Sequence, residues 1–197
     1  MKRFAFWSGL FLLAITGRGL ETPHPAGGGF ESLGIPVRKG GLMGCIPGPD
    51  GRGGEALYFN FNQISGLLFL VQVDPDTGEA RQFNAPKGPG AWALIAGPDE
   101  KIYLGTWDGA LILRFDPKQP ERGLEVVGKP SATEEYLWQF DIGKDGKLYA
   151  CTYPNAKLVR FDPRTGAMED LGRMYIVAGL VERDRHLICR PDGALLI

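Results

Sequence analysis

Residues 157–172 read KLVRFDPRTGAMEDLG and contain two short alternating segments on either side of a Pro- and Gly-containing turn. In such a turn Asp accepts hydrogen bonds from the backbone ahead of it, Pro fixes the first dihedral angle, and Gly tolerates the left-handed conformation. The stretch therefore predicts a β-hairpin with strands over 157–161 and 167–171. Related turns occur upstream, at Arg114-Phe115-Asp116-Pro117 and at Asp74-Pro75-Asp76-Thr77-Gly78.

A second turn sequence repeats with similar spacing. It is found at Gly143-Lys144-Asp145-Gly146, at Gly97-Pro98-Asp99-Glu100 and at Gly48-Pro49-Asp50-Gly51. We expect a degenerate fourth copy over 182–188. Both turns recur at intervals of about 44 residues, and a fixed period of this size is typical of repeat architectures.

Each repeat divides into four short strands. In the best-defined repeat we predict strands over 138–142, 147–153, 157–161 and 167–171. Four-stranded antiparallel units without helices between them are typical of propeller blades, because stacking the sheets removes both of their faces from water. We therefore predict an all-β fold over residues 30–197, a β-propeller with about four repeats and an incomplete last blade.

The repeat sequence resembles the secreted bacterial propellers of the YVTN, NHL and streptogramin-lyase-like group. The resemblance is carried by residues 97–106, residues 143–152 and the two Arg-Phe-Asp-Pro turns. It implies either a binding module or a propeller enzyme, such as a lyase or a gluconolactonase-like hydrolase. Lyases of this group use histidines around the channel, and here only His186 lies in the repeats, so we transfer no catalytic role to it. Gluconolactonase-type propellers hold a divalent metal with Glu, Asn and Asp, but no spacing in this chain selects such a set.

The two ends of the chain differ from the repeats. A positive start, Met1-Lys2-Arg3, precedes an apolar run from Phe4 to Thr16, which predicts a signal peptide over 1–22. A Pro/Gly-rich linker is expected over 23–29, and residues 29–34 resemble an outer strand. Residues 190–193 are expected to form a loop between the second and third strands of the last blade. Two arrangements stay open: a four-bladed ring whose last blade takes its outer strand from residues 30–34, or part of a larger propeller.

Composition limits the classes of function. The chain has 22 Lys and Arg against 23 Asp and Glu, so it lacks the positive field of a nucleic-acid-binding protein. The three cysteines, Cys45, Cys151 and Cys189, have no metal-ligand spacing, and we interpret them as small apolar core residues. No cofactor motif is present, and the signal predicts a secreted or periplasmic protein without membrane insertion after cleavage.

Candidate ligand-binding residues lie in loops that propellers place on one face. Aromatic side chains beside Asn, Asp and Glu suit sugars or peptide groups, because the rings stack while the polar groups form hydrogen bonds. These residues are Trp107, Asp108, Glu134, Tyr136, Tyr153 and Asn155. Trp92 and Trp138 begin innermost strands and are expected near the channel, where packing between blades is an alternative role. The predicted function is binding of a small ligand, glycan or protein without catalysis, and the alternative is a propeller enzyme.

Overall fold

The computed structural model describes residues 25–26, 30–31, 40–63, 66–174 and 188–196. The chain divides into two compact units, 1–38 and 39–197. In the first unit, β1 (Pro25–Ala26) pairs antiparallel with β2 (Phe30–Glu31). The predicted signal peptide, the rest of residues 29–34 and His186 lie outside the described residues.

The second unit contains three four-stranded antiparallel sheets, each with its strands in chain order. The first blade consists of β3 (Gly41–Pro49), β4 (Glu55–Asn62), β5 (Phe69–Val73) and β6 (Ala80–Asn84). The second consists of β7 (Gly90–Ala96), β8 (Ile102–Trp107), β9 (Ile112–Phe115) and β10 (Leu124–Gly128), with a short 3-10 helix, Pro120–Arg122, before β10. The third consists of β11 (Tyr136–Ile142), β12 (Leu148–Tyr153), β13 (Lys157–Phe161) and β14 (Met168–Arg173). A two-stranded hairpin follows, β15 (Ile188–Cys189) and β16 (Leu195–Leu196).

The Asp-Pro turn has the predicted geometry in the two copies that end in Thr-Gly. The carboxylate of Asp162 accepts a hydrogen bond from the amide of Arg164 at 2.9 Å, and Gly166 has φ 75°. In the equivalent turn the carboxylate of Asp74 accepts from the amides of Asp76 and Thr77 at 2.9 and 3.0 Å. The Asp-Pro turns are therefore hairpin turns between the third and fourth strands.

Apolar faces of neighbouring blades form the core. One cluster joins the first and second blades, where the ring centroids of Tyr58 and Phe115 lie 6.0 Å apart. A second cluster joins the second and third blades, where Tyr103 meets Phe161 edge-on at 5.5 Å. All four of these aromatic side chains are fully or almost fully buried. Stacking thus removes from water the faces that a single sheet would expose.

First strands lie next to first strands along the stack. Strand β7 contacts β3 on one side and β11 on the other, and β11 also contacts β15. Each of β3, β7 and β11 carries a register shift near its start, at Leu42/Gly44, Ala91/Ala93 and Leu137/Phe140. Such a β-bulge inserts one extra residue and redirects a side chain. The bulges place Met43, Trp92 and Trp138 at matching positions of the three blades.

The prediction that residues 190–193 form a loop between second and third strands is wrong. In that turn the amide of Arg190 donates to the carbonyl of Ala194 at 2.8 Å and the amide of Gly193 donates to Arg190 at 2.9 Å. The turn at Gly143 between first and second strands has the same two hydrogen bonds, from Gly143 to Lys147 and from Gly146 to Gly143. Strands β15 and β16 are therefore the first two strands of a fourth blade. The prediction failed because Asp-Gly occurs in both kinds of turn and does not distinguish them.

The interpretation of the cysteines holds in part. Cys151 is buried, Cys189 is half-buried and Cys45 is exposed, and none of the three forms a disulfide. Only Cys151 is therefore a core residue in the sense expected.

Glu100 supplies a test of the turn geometry. It has φ 62°, at the position where the first and third blades have Gly51 (φ 82°) and Gly146 (φ 72°). Left-handed backbone is costly for residues with a Cβ, so we expect Glu100→Gly to be more stable than Glu100→Ala by about 1 kcal/mol. Urea denaturation at neutral pH measures the difference.

The comparison between these two variants is internally controlled. Both substitutions remove the exposed ion pair between Glu100 and Lys118, so their difference reports the backbone alone. Equal stabilities for the two variants would contradict the assignment of a strained turn.

Candidate ligand-binding site

Four of the predicted site residues form one continuous aromatic cluster. Trp92 and Trp138 lie with ring centroids 5.7 Å apart, across the boundary between the second and third blades. Tyr136 meets Trp138 edge-on at 5.4 Å and stacks on Tyr153 at 4.9 Å. Trp92 is 40% exposed, and the other three side chains are half-buried. This set, Trp92, Tyr136, Trp138 and Tyr153, is called the aromatic cluster below.

Strand register explains why these rings meet. Tyr136 and Tyr153 are cross-strand partners in β11 and β12, so their side chains lie on the same face of the sheet. Trp92 and Trp138 occupy the bulges of adjacent first strands, and the redirected side chains meet across the blade boundary. The predicted packing of the two tryptophans against a neighbouring blade is therefore a contact between the tryptophans themselves.

Glu134 lies close to the cluster and is fully buried. Its Oε1 accepts hydrogen bonds from the hydroxyl of Thr133 at 3.0 Å and from the side-chain amide of Asn155 at 2.7 Å. Its Oε2 accepts from the hydroxyl of Thr152 at 2.7 Å and from the backbone amide of Asn155 at 3.0 Å. The carboxylate thus joins the segment before β11 to the loop that follows β12.

These contacts favour the charged form of Glu134. Burial raises the pKa of the carboxyl, but the hydrogen bonds from Thr152, Asn155 and Thr133 outweigh it and leave the pKa below its ordinary value. A carboxylate held ionised by four donors from the chain is suited to fixing a loop. It is poorly suited to accepting a proton as a general base.

Further contacts hold the same segment in place. The backbone amide of Glu135 donates to the carbonyl of Tyr153 at 2.8 Å, and its carbonyl accepts from the amides of Gly109 and Ala110 at 3.0 and 2.7 Å. Residues before β11 therefore bridge the loops of the second and third blades. This bridge fixes Tyr153 opposite Tyr136.

A second polar group anchors the start of that segment. The carboxylate of Asp170 accepts from the hydroxyl of buried Ser131 at 2.6 Å and from the ammonium of Lys157 at 2.6 Å. Burial raises the pKa of Asp170, while its hydrogen bonds from Lys157 and Ser131 bring the net pKa below the ordinary value. Ser131 and Lys157 thus share one carboxylate oxygen of Asp170, which ties the segment before β11 to β13 and β14.

The remaining predicted residues are placed differently. Trp107 occupies the position in β8 that Tyr153 has in β12, but its cross-strand partner is Gly90, and a side chain at Gly90 would collide with the indole nitrogen. Asp108 is exposed with φ 65°. Among the described residues, no ring contact or hydrogen bond joins Trp107 or Asp108 to the aromatic cluster.

The contacts of Glu134 also bear on metal binding, since Glu, Asn and Asp are the residue types that gluconolactonase-type propellers use. Glu134 and Asn155 are in contact, but they are hydrogen-bonded to each other, and both carboxylate oxygens are already occupied. Within the described ranges, no three His, Cys, Asp or Glu side chains are arranged to hold a metal ion.

Sequence reasoning missed the partners of Glu134. Thr152 and Thr133 donate to it, and the guanidinium of Arg173 donates to the side-chain oxygen of Asn155 at 2.6 Å. One feature of the repeat could have pointed to Thr152 as a structural residue, since Thr106 and Thr152 are identical at matching positions of their blades. In the second blade the residue that corresponds to Glu134 is Gly88, where a Cβ would lie 3.4 Å from Thr106 Cγ2.

Comparisons with solved structures address the fold. Virginiamycin B lyase from Staphylococcus aureus superposes with a TM-score of 0.66 at 15% identity, over 84% of this chain and 52% of the lyase chain. A streptogramin B lyase gives a TM-score of 0.53 at 15% identity, over 82% of this chain and 63% of that chain. The chain is a β-propeller. A candidate 6-phosphogluconolactonase from Bacteroides fragilis also superposes, with a TM-score of 0.53 at 19% identity, over 78% of this chain and 46% of the other.

These propellers are longer than this chain, which spans about half the length of the Staphylococcus aureus lyase it matches. No protein-family model and no curated protein matches the sequence. At these identities the likeness shows the propeller fold and does not decide between binding and catalysis.

The Glu134 network gives a second prediction. We expect Glu134→Gln to lower the free energy of unfolding at pH 7 by about 2 kcal/mol, because an amide cannot accept all four donors and leaves buried groups unpaired. The folded-state pKa of Glu134 lies below its unfolded value, so its contribution is present above the unfolded pKa and declines as pH falls toward the folded pKa. The stability of the wild type should therefore fall more steeply than that of the variant when the pH is lowered below the ordinary glutamate range. Denaturant titrations across that pH range measure both effects.

Glu135→Gln is the matched control, since Glu135 is adjacent and exposed. We expect this control to lie within about 0.5 kcal/mol of the wild type. Equal effects of the two substitutions would show that the buried network does not stabilise the fold.

Proposed function

We propose that the protein is a binding module that holds a ligand with a flat apolar face, a glycan or a peptide, against the aromatic cluster. The observation that carries this proposal is the continuity of the four rings across two blades, with Trp92 left 40% exposed at one end. Partly exposed aromatic rings offer a large contact area and lose little conformational entropy on binding. The cluster is therefore a preformed stacking surface.

The support for stacking comes from how the rings are held. Tyr136 and Tyr153 are locked as cross-strand partners, and the hydrogen bonds of Glu134 and Glu135 fix the loop that carries Tyr153. A surface fixed in this way needs little rearrangement to accept a ligand. The same network argues for binding over chemistry, because the buried carboxylate nearest the cluster is fully engaged by the chain.

A propeller enzyme is the second candidate, and the fold similarity to the lyases favours it. In one solved structure a catalytically inactive virginiamycin B lyase from Staphylococcus aureus is seen with quinupristin. Turnover of quinupristin or of 6-phosphogluconolactone by purified protein would replace the binding proposal with an enzymatic one. Binding of a glycan or peptide without turnover of either compound supports the binding module.

Export is part of the same proposal, supported by the positive start and the apolar run over residues 4–16. Among the described residues, no helix is long and apolar enough to cross a bilayer. Expression with fractionation and N-terminal sequencing tests export: a processed chain outside the cytoplasm supports it, and an unprocessed cytoplasmic chain contradicts it.

Trp92 provides the test of the stacking surface. We expect Trp92→Ala to weaken binding of a glycan or peptide found by array screening by about tenfold or more, because the most exposed ring is lost. Isothermal titration calorimetry measures the affinity, and circular dichroism checks that the fold is retained.

Val126→Ala is the matched control. Val126 is also 40% exposed but lies on β10, the outer strand of the second blade. We expect its substitution to leave affinity unchanged. An affinity unaffected by Trp92→Ala would place the ligand elsewhere and overturn the assignment of the cluster.

A further inference from the structure

The boundary between the first and second blades contains a cavity of about 640 Å³. Three segments line it: the loop between β4 and β5, the segment before β7, and the loop between β8 and β9. Its volume lies within the range of about 300–1,000 Å³ that is usual for small-molecule sites. Both blades are complete four-stranded sheets, and no residue of the aromatic cluster lines the cavity.

Two glycines leave this space open. At the next blade boundary the side chains of Glu134 and Asn155 meet in the corresponding place, with a hydrogen bond of 2.7 Å. The matching positions of the second blade are Gly88 and Gly109, which carry no side chains. Their φ angles of 88° and 113° lie in the region that favours glycine, so a larger residue at either position would strain the backbone. The backbone conformation thus keeps both positions free of side chains.

Apolar side chains form one part of the lining. Pro86 and Pro89 come from the segment before β7, Leu67 from the first blade and Leu111 from the second. Leu67 is 45% exposed, and burial of a leucine side chain is favourable. A ligand with apolar side chains would cover Leu67 and gain affinity from that burial.

Two opposite charges complete the lining. Lys87 comes from the segment before β7 and Asp108 from the loop after β8, and both are exposed. Neither side chain forms an ion pair or a hydrogen bond with another residue that the structure describes, whereas Lys101 and Lys118 of the second blade each pair with a carboxylate. Both charges beside the cavity are therefore available to a ligand.

We propose that this cavity is a second binding site, for an apolar dipeptide in its zwitterionic form. The carboxylate of the ligand pairs with Lys87, its ammonium pairs with Asp108, and its side chains contact Leu67 and the two prolines. A zwitterion complements both charges, whereas a simple anion would bring a like charge near Asp108 and a simple cation would bring one near Lys87. The site is separate from the aromatic cluster, and its test does not depend on the proposed function.

Leucyl-leucine and two derivatives test the pairing on the full chain. N-acetylation of the dipeptide removes its positive charge, and amidation of its carboxyl group removes its negative charge. We expect each derivative to bind about fivefold more weakly than the free dipeptide, because ion pairs at an open cavity are partly screened by water. Isothermal titration calorimetry at low ionic strength measures the three affinities, and added salt should reduce the differences between them.

Two variants assign each charge of the ligand to its partner. With Lys87→Gln the free dipeptide and its amide should bind equally, while acetylation should still weaken binding. With Asp108→Asn the free dipeptide and its acetyl derivative should bind equally, while amidation should still weaken binding. Combining a change in the protein with a change in the ligand isolates one pairwise interaction.

The fold should survive both substitutions, because both side chains are exposed. Lys129→Gln is the matched control, since Lys129 is an exposed lysine between β10 and β11 that does not line the cavity. We expect this control to bind all three ligands as the wild type does.

Trp92→Ala separates this site from the aromatic cluster. Trp92 does not line the cavity, so this variant should bind leucyl-leucine as the wild type does. No binding of leucyl-leucine, its loss in Trp92→Ala, equal binding of the three ligands, or unchanged discrimination in Lys87→Gln and Asp108→Asn would each overturn the proposal. Failure of a glycan or longer peptide to bind at the aromatic cluster would instead contradict the proposed function alone.

Discussion

Packing between the faces of successive blades is the interaction on which the structure depends. Each complete blade is an antiparallel sheet too thin to have an interior of its own, so its apolar side chains are buried only where the next sheet covers them. The packing is specific, since a tyrosine of one blade contacts a phenylalanine of the next at both blade boundaries. The burial of these rings stabilises the stacking of the sheets.

Polar contacts distinguish the third blade from this shared scaffold. Where the second blade has Gly88, the third has Glu134, and that one side chain gathers four hydrogen bonds from the segment and loop around it. A buried carboxylate is tolerable only when its oxygens are satisfied, and here the chain supplies every donor. The local result is a rigid loop beside Tyr153. Residues shared by the repeats form the sheets, and residues that differ between the repeats, such as Glu134, give each blade its own loop structure.

Local turn chemistry explains what the sequence predicted well. The strand over 157–161 agrees with the structure at both ends, because an Asp-Pro turn and a Pro-Asn loop leave little choice of boundary. The same chemistry misled the alignment of residues 190–193, since Asp-Gly suits two different turns of a blade. Only the backbone hydrogen bonds and the contact of β15 with β11 separate the two assignments. The ring contact between Trp92 and Trp138 depends on two bulges, and no residue pattern in the sequence marks either of them.

The bulges in the first strands have a consequence for how such a protein changes over time. Met43 and Trp92 are each the extra residue of a register shift, and Trp138 lies with Gln139 in the shift between Leu137 and Phe140, so pairing within the sheet does not dictate the identity of these three side chains. Exchanging one of them changes a side chain at the bulge, while the paired residues on either side keep their backbone hydrogen bonds. Each complete blade thus has one position where the side chain can change during evolution at small cost to folding.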